Sequence, residues 1–486
     1  MTRPRRSLAA LLALIIALGS PAGIADASRL PDLGDESATV ISPLQERKLG
    51  EDFMRRARQH LDIVEDPELK RYIQNLGRHL AAGTQAGGQD FYFFLVDDPS
   101  VNAFAVPGGF IGVHTGLVLT ARSEGELAAV LAHEIAHLTQ RHIPRMMAEA
   151  KRTSVPAMAA LLAAILLAGS GHSGGEAAIA LTTATLAQSQ LNFTRSFEQE
   201  ADRIGMGVLT DAGFDARDMP AFFDRMLVAS RLYESNLPEF LRTHPITTRR
   251  IAESRDHADR FPRRPNPDAT DFAHAQARIR ALAKASPAEL VKRFAAELDE
   301  PDVAHGDALR YAYALALLRA QRFDAARAEV DVLLKQRPDY VAYRILQAEI
   351  AFGAGRRAEA LALYAAAQKL APDDPSLIQR HADALLAAGK AAQARELLNP
   401  VLRQPSADAA LYKLMATAAG ESGDRLTAHR ALAEHYYLRG DARAALQQLH
   451  LATRHAQGNH YYTASLEARA KEIKDEVELM KQNGID

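Results

Sequence analysis

Two rhythms of apolar and polar positions run along this chain of 486 residues. In the first half, short apolar runs at Phe91-Tyr92-Phe93-Phe94-Leu95-Val96, Ala103-Phe104-Ala105-Val106 and Phe110-Ile111-Gly112-Val113, interrupted by Pro107-Gly108-Gly109, predict short strands around a turn. Ser123-Glu124-Gly125-Glu126 then reads as a capping box, Ser123 as N-cap and Glu126 as its partner, opening a helix through Leu127-Ala128-Ala129-Val130-Leu131-Ala132. A second helix is expected from about Glu176 through Gly205.

The second rhythm has a fixed period. Gly355, Gly389 and Gly423 are 34 residues apart, as are Ala326, Ala360, Ala394 and Ala428, and Pro338 and Pro372, with Pro405 one short. This is the tetratricopeptide period: each repeat is a helical hairpin that buries its apolar face only by stacking on its neighbours, giving a superhelix with a concave binding surface. Gly440 follows Gly423 by only 17 residues, so an irregular final turn is expected there, and Tyr436, Tyr437, Tyr461 and Tyr462 either line the concave face or pack between helices. The proline-rich stretch Phe261-Pro262-Arg263-Arg264-Pro265-Asn266-Pro267-Asp268 separates the halves, and helices resuming near Phe272 are expected to join them and to pack against both.

The N-terminus sets the compartment. Arg3, Arg5 and Arg6 precede an apolar run from Leu8 to Leu18, and Ala25-Asp26-Ala27 offers a cleavage site, so residues 1–27 are expected to be a secretory signal that delivers the chain to the periplasm. A run of eleven residues is short for a span needing about 20. With no cysteine in the chain, disulfides and a lipid-modified cysteine are excluded. Cleavage after Ala27 changes the formal charge from −2 to −4, and nothing in that balance suggests nucleic acid. A second apolar stretch, Val155 to Ala168, leads into a glycine-rich tip and a small-residue helix. At 1.5 Å per residue it covers about 21 Å against a hydrocarbon core of about 30 Å. A buried hairpin, a lid over a cleft or a segment lying on a membrane surface all fit residues 155–187, and a lid facing the membrane, a peripheral contact, fits best.

The chemistry is concentrated at His133-Glu134-Ile135-Ala136-His137. Residues at i and i+4 share a helix face, so His133 and His137 can converge on one cation while Glu134 reaches its water; this is the zinc-peptidase signature. Hydrolytic zinc sites take three protein groups and leave a position for water. The short-range third histidine is missing, because Gln140 and Ile143 stand where the pattern needs glycine and histidine. A distant carboxylate remains, and Glu198-Gln199-Glu200-Ala201-Asp202 supplies it: Glu198 as third ligand, Asp202 on the same face as the acceptor that holds a ligand histidine by its far N–H, and Glu200 on the outside. His244, before Pro245, is expected on an extended loop. It is either close to the metal, as an extra ligand that leaves before substrate binds or as a transition-state donor, or a plain loop histidine with Arg250 capping the next helix. His142, five residues past His137, is expected to point away from the ligand face as a surface or packing histidine.

The segment His133 to His142, Asn102-Ala103-Phe104-Ala105-Val106-Pro107-Gly108-Gly109, the Glu198–Asp202 run, and Thr243-His244-Pro245 with Arg250-Ile251 occur in the order that resembles the HtpX and CAAX-prenyl-protease group of gluzincins. Within that group the chain is most similar to periplasmic members fused to tetratricopeptide repeats. The resemblance implies one zinc ion held by His133, His137 and Glu198, with Glu134 as catalytic base; Asp202 and His244 are added as catalytic-site residues on the reading of the residues above. The expected fold is mainly α (α+β): an HExxH zincin domain with a small sheet over residues 28–260, connecting helices over 261–301, and a repeat solenoid over 302–486. The leading reading is a periplasmic endopeptidase, with a chaperone contribution, that degrades stalled or misfolded outer-membrane proteins and docks on their assembly machinery through the repeats. The alternatives are a repeat-based scaffold with incidental proteolysis and a membrane-associated quality-control protease.

Overall fold

The computed structural model describes residues 41–84, 90–149, 195–232, 239–265, 267–300, 306–403, 408–456 and 458–482. The secretory signal, the apolar segment 155–187, the expected helix start near Glu176 and Pro405 lie outside the described residues.

Among the described residues the first helices are α1 (Pro43–His60) and α2 (Pro67–Ala81), capped by Ser42 and Asp66 with proline in the first turn. Strands β1 (Tyr92–Val96), β2 (Ala103–Val106) and β3 (Phe110–His114) form a sheet in the order β1-β3-β2. β1 runs parallel to β3, and β2 pairs antiparallel with it from Ala103 opposite Val113 to Val106 opposite Phe110. The hairpin between β2 and β3 turns on Gly108 and Gly109, whose φ of 88° and 94° explains why the turn is built of glycine.

A short α3 (Thr115–Thr120) leads to α4 (Glu124–Thr139), which is buried over nearly its whole length in the largest apolar core. Half of the expected capping box is present. The Glu126 N–H donates to Ser123 Oγ at 3.2 Å, but the Glu126 carboxylate accepts from the Arg122 N–H at 2.6 Å and pairs with Arg225, which draws it off the N-cap backbone. Helices α5 (His142–Glu149), α6 (Arg195–Asp211), α7 (Asp218–Leu232), α8 (Glu239–Thr243) and α9 (Thr248–Ala258) complete this half. Gly205 lets α6 lie directly on α4: a Cβ there would stand 3.0 Å from Ala132 O and His133 N.

Helix α10 (Thr270–Leu282) faces both ways. Phe272, Ala275 and Ile279 join the first core, while Ala273, Ala277 and Ala281 join a second one with α11 (Pro287–Leu298). Among the described residues ten helices follow in antiparallel pairs: α12 (Gly306–Arg319) with α13 (Phe323–Gln336), α14 (Val341–Gly353) with α15 (Arg357–Leu370), α16 (Pro375–Ala387) with α17 (Ala391–Leu398), α18 (Ala409–Glu421) with α19 (Arg425–Leu438), and α20 (Ala442–His455) with α21 (His460–Gln482). The periodic alanines are buried at the packing faces, and Gly355, Gly389 and Gly423 turn the hairpins at φ 72° to 81°. Gln321, one period earlier, takes the same left-handed conformation at φ 58°.

The turn at Gly440 is regular, contrary to expectation. It joins α19 to α20 with φ 86°, and the 17-residue spacing means only that this glycine lies between repeats while the others lie within them. Close approach adds a second reason for glycine, since a Cβ would meet Arg55 at 2.9 Å. The tyrosines divide: Tyr436 and Tyr437 pack between helices, whereas Tyr461 and Tyr462 are exposed. The array returns to the first two helices through ion pairs. Arg71 reaches Asp374 at 2.7 Å, Arg380 reaches Asp66 at 2.9 Å and Glu68 at 3.0 Å, Lys70 pairs with Asp408, and Arg55 reaches Glu476 at 2.9 Å.

Candidate metal centre

Helix periodicity places His133 and His137 on one face of α4, and α6, drawn close by Gly205, sets Glu198 opposite them. His133 Nε2 and His137 Nε2 are 3.0 Å apart, and Glu198 lies 3.5 Å from the first and 3.4 Å from the second. His244 completes the group, its Nδ1 3.0 Å from Glu198 Oε1 and 3.3 Å from His133 Nε2. One donor atom from each of these four buried residues lies within 4.8 Å of every other. Two imidazoles on a helix, a third from a loop and one carboxylate are a borderline-soft donor set suited to a divalent transition ion.

His244 does not occupy a free extended loop. Its N–H donates to Phe240 O at 2.8 Å, continuing the turn of α8, and its ring stacks on Phe240 at 4.9 Å and is 2% exposed. Its Nε2 lies 3.4 Å from Glu134 Oε1. Glu134 is fully buried beside β2. Burial raises its carboxyl above the ordinary range, against the pull of His244 and His133 and of the Ala105 backbone. β2 is an edge strand among the described residues, so backbone on its open side borders the site.

Behind the donors stands a charged layer. His133 Nδ1 lies 3.0 Å from Asp202 Oδ1, a close ionic contact whose direction is not that of a straight hydrogen bond. Arg250 clamps Asp202 with two hydrogen bonds of 2.8 Å and reaches Glu198 Oε2 at 2.9 Å. It therefore does not cap α9, as the plain-loop alternative for His244 required; that role is taken by Thr247. Arginine in such a pattern is indistinguishable from a surface cation until α9 packs on α6. Burial opposes charge on both rings, but Asp202 and Glu198 push His133 up to about 10, while His137 stays well below the ordinary imidazole range. Three histidines overcome burial at Glu198 and hold its carboxyl well below the usual range.

Two further expectations need correction. His142 is buried and turns back toward the site, its Nδ1 2.8 Å from His137 Nδ1, and burial lowers it to about 4 against the pull of Glu200. Glu200 is half-buried and contacts His142 Nε2 at 3.3 Å and Arg145 at 3.0 Å. The helical count from His137 fails because α4 ends at Thr139 and Arg141, at φ 50°, restarts the chain in a new direction.

Residues 67–258 match peptidase family M48, and residues 351–418 match a tetratricopeptide repeat family. The beta-barrel assembly-enhancing protease of Escherichia coli K12 is 32% identical, with 98% of each chain covered. That of Yersinia pestis is 32% identical over 92% of this chain and 91% of its own. The mitochondrial metalloendopeptidase OMA1 of Arabidopsis thaliana is 28% identical over 45% of this chain and 42% of its own. Near-full-length identity at this level, a matching peptidase family over the donor cluster and matching repeats behind it place the chain in the beta-barrel assembly-enhancing protease family of M48 metalloendopeptidases.

Proposed function

We propose that this chain is a zinc-dependent endopeptidase of the periplasm that degrades stalled or misfolded outer-membrane beta-barrel proteins, assists their folding, and engages the assembly machinery through its repeats. The spacing of the four donor atoms carries the chemical part of this reading. A tetrahedron with zinc–ligand bonds of about 2.0–2.1 Å has edges of about 3.3–3.4 Å; five distances among the donors, taken over both Glu198 oxygens, run from 3.0 to 3.5 Å, and one donor atom from each residue lies within 4.8 Å of the others.

His133, His137 and Glu198 would hold the ion in this reading, and His244 would stand beside it as a further donor. Zinc, when bound, polarises the scissile carbonyl and lowers the pKa of a water to about 7. Glu134 takes that water's proton and delivers it to the leaving amine, and its burial-raised carboxyl suits it to carry the proton between the two steps. His244, beside Glu134, would give way to water and substrate and would be placed to donate to the developing negative charge. Asp202, clamped by Arg250, keeps His133 oriented. The open edge of β2 holds an extended substrate by strand addition beside Glu134.

The names of the relatives support the role in barrel assembly, and residues 1–27 as a signal support the compartment. Among the described residues no helix is long and apolar enough to cross a membrane. Metal analysis paired with casein cleavage is the test: about one zinc per chain and cleavage lost in Glu134→Gln support the reading, and a metal-free active chain overturns it. In cells, Glu134→Gln leaving outer-membrane assembly intact would favour a scaffold over a protease.

A further inference from the structure

His133 and His137 are oriented by different means. Asp202 and Arg250 stand behind His133. Behind His137 the structure places another imidazole, His142, with Glu200 and Arg145 beyond it.

We infer that His142 is the positioning residue for His137, the middle link of a His137–His142–Glu200 hydrogen-bonded chain that fixes which nitrogen of His137 faces the ion. This rests on the metal-centre reading above. The directions of the bonds are mutually consistent. His137 offers Nε2 to the cluster, so its proton sits on Nδ1, 2.8 Å from His142 Nδ1, which must then accept. A neutral His142 accepting at Nδ1 carries its own proton on Nε2, and that nitrogen is the one 3.3 Å from Glu200 Oε2. Arg145 holds the same oxygen at 3.0 Å, ending the chain on a charged acceptor. Reversing either proton would face two donors or two lone pairs across one of these contacts.

The surroundings hold His142 in that pose. It is 0% exposed and its ring stacks on Phe197 of α6 at 4.8 Å, with Arg145 over the other ring of that stack at 4.9 Å. Arg141, whose left-handed backbone turns His142 inward, is tied to Glu46 and to Ile41 O at 2.8 Å. A backbone in that region is uncommon for a residue with a side chain, and here it has an identifiable result: the imidazole comes to rest on His137.

Acceptors behind metal-ligating histidines typically contribute 10- to 100-fold in metal affinity. The experiment measures zinc affinity of the full chain by competition with a chromophoric chelator, and the visible absorption of the cobalt(II)-loaded chain. His142→Ala is expected to weaken zinc binding 10- to 100-fold and to change the cobalt spectrum, while His142→Asn, whose amide oxygen can still accept from His137, recovers most of the affinity. Glu200→Ala, on the half-buried outer link, weakens binding several-fold and remains informative should His142→Ala fail to fold. Affinity of both alanine variants within twofold of wild type overturns the inference, as does His142→Asn no better than His142→Ala. A wild-type chain that binds no zinc overturns the metal-centre reading itself.

Discussion

In the peptidase half, side chains from α2, the sheet, α4, α6, α7 and α10 converge on one large apolar core, with a smaller one between α1 and the other face of the sheet, whereas the repeat array divides its buried residues among successive clusters shared by neighbouring helix pairs. The difference follows what each must do. Bringing donors from positions 133, 137, 198 and 244 to within 4.8 Å of one another requires elements distant in sequence to be fixed against a common interior. A repeat array needs only its nearest neighbours, so a defect in one repeat stays local. Between the two halves the contact changes character again, because Asp66 and Glu68 of the α2 start meet Arg278 of α10 and Arg380 of α16 in a buried ionic seam. Asp374 and Asp408 cap α16 and α18 and also receive Arg71 and Lys70. A seam of charges fixes register between two bodies whose apolar interiors are already complete.

The sharpest way to separate the halves is chemical. Glu134→Gln should lower kcat for casein by about 10²- to 10⁴-fold, with thermal midpoint and array folding unchanged; a loss below tenfold would place the base elsewhere. Arg278→Ala attacks the seam, leaving buried Asp66 and Glu68 with Arg380 as their remaining cation, and should cost up to about 3–5 kcal/mol. Denaturant unfolding should then resolve into two transitions; a single transition of unchanged midpoint would show that the seam contributes nothing to the joint.

Within the array the effects should be small and confined. Gly389→Ala forces a side chain into a left-handed turn at φ 72° with open space around it, so the cost is backbone strain alone, about 1–2 kcal/mol. Gln321→Gly should act oppositely and more weakly, since relief of strain at φ 58° is offset by the greater freedom of glycine in the unfolded chain. Neither should change casein cleavage, and a change would mean that strain crosses the seam.

The smallest expected effect is a pH slope. Burial raises Glu124, at the start of α4, to about 7, against the Tyr72 hydroxyl that donates to it at 3.0 Å. The unfolded chain releases this proton near 4.5, so between about pH 4.5 and 7 the folded state holds more protons and stability falls as pH rises. Glu68 is also raised to about 7, burial again leading, and adds a slope of the same sign. Glu124→Gln should flatten part of the decline in Tm across that window; an unaltered slope would show that Glu124 contributes nothing to it.

Several features were legible in the sequence because they depend on spacing within one element. The i, i+4 pair His133 and His137 and the shared face of Glu198 and Asp202 follow from helix geometry, and the 34-residue glycines mark positions where a hairpin requires left-handed backbone. The strands around Pro107-Gly108-Gly109 were equally readable, although their order β1-β3-β2 was not. His142 misled because a helical count was carried past Arg141, where the helix has already ended. Arg250 stood out only through the resemblance, and Glu200 and Arg145 gave no signal, since an arginine or glutamate on a polar helix face looks the same whether it meets water or a buried partner.

The sequence by itself determined which residue types stand at helical and repeat spacing, and therefore the peptidase signature and the solenoid. Tertiary structure decided which of those residues meet: His244 against Glu198, His142 against His137, and the array against α1 and α2. The physical reason is range. Backbone geometry fixes the relation of residues a turn apart, whereas contacts across 46 or 303 positions exist only after cores have closed and set the helices against one another.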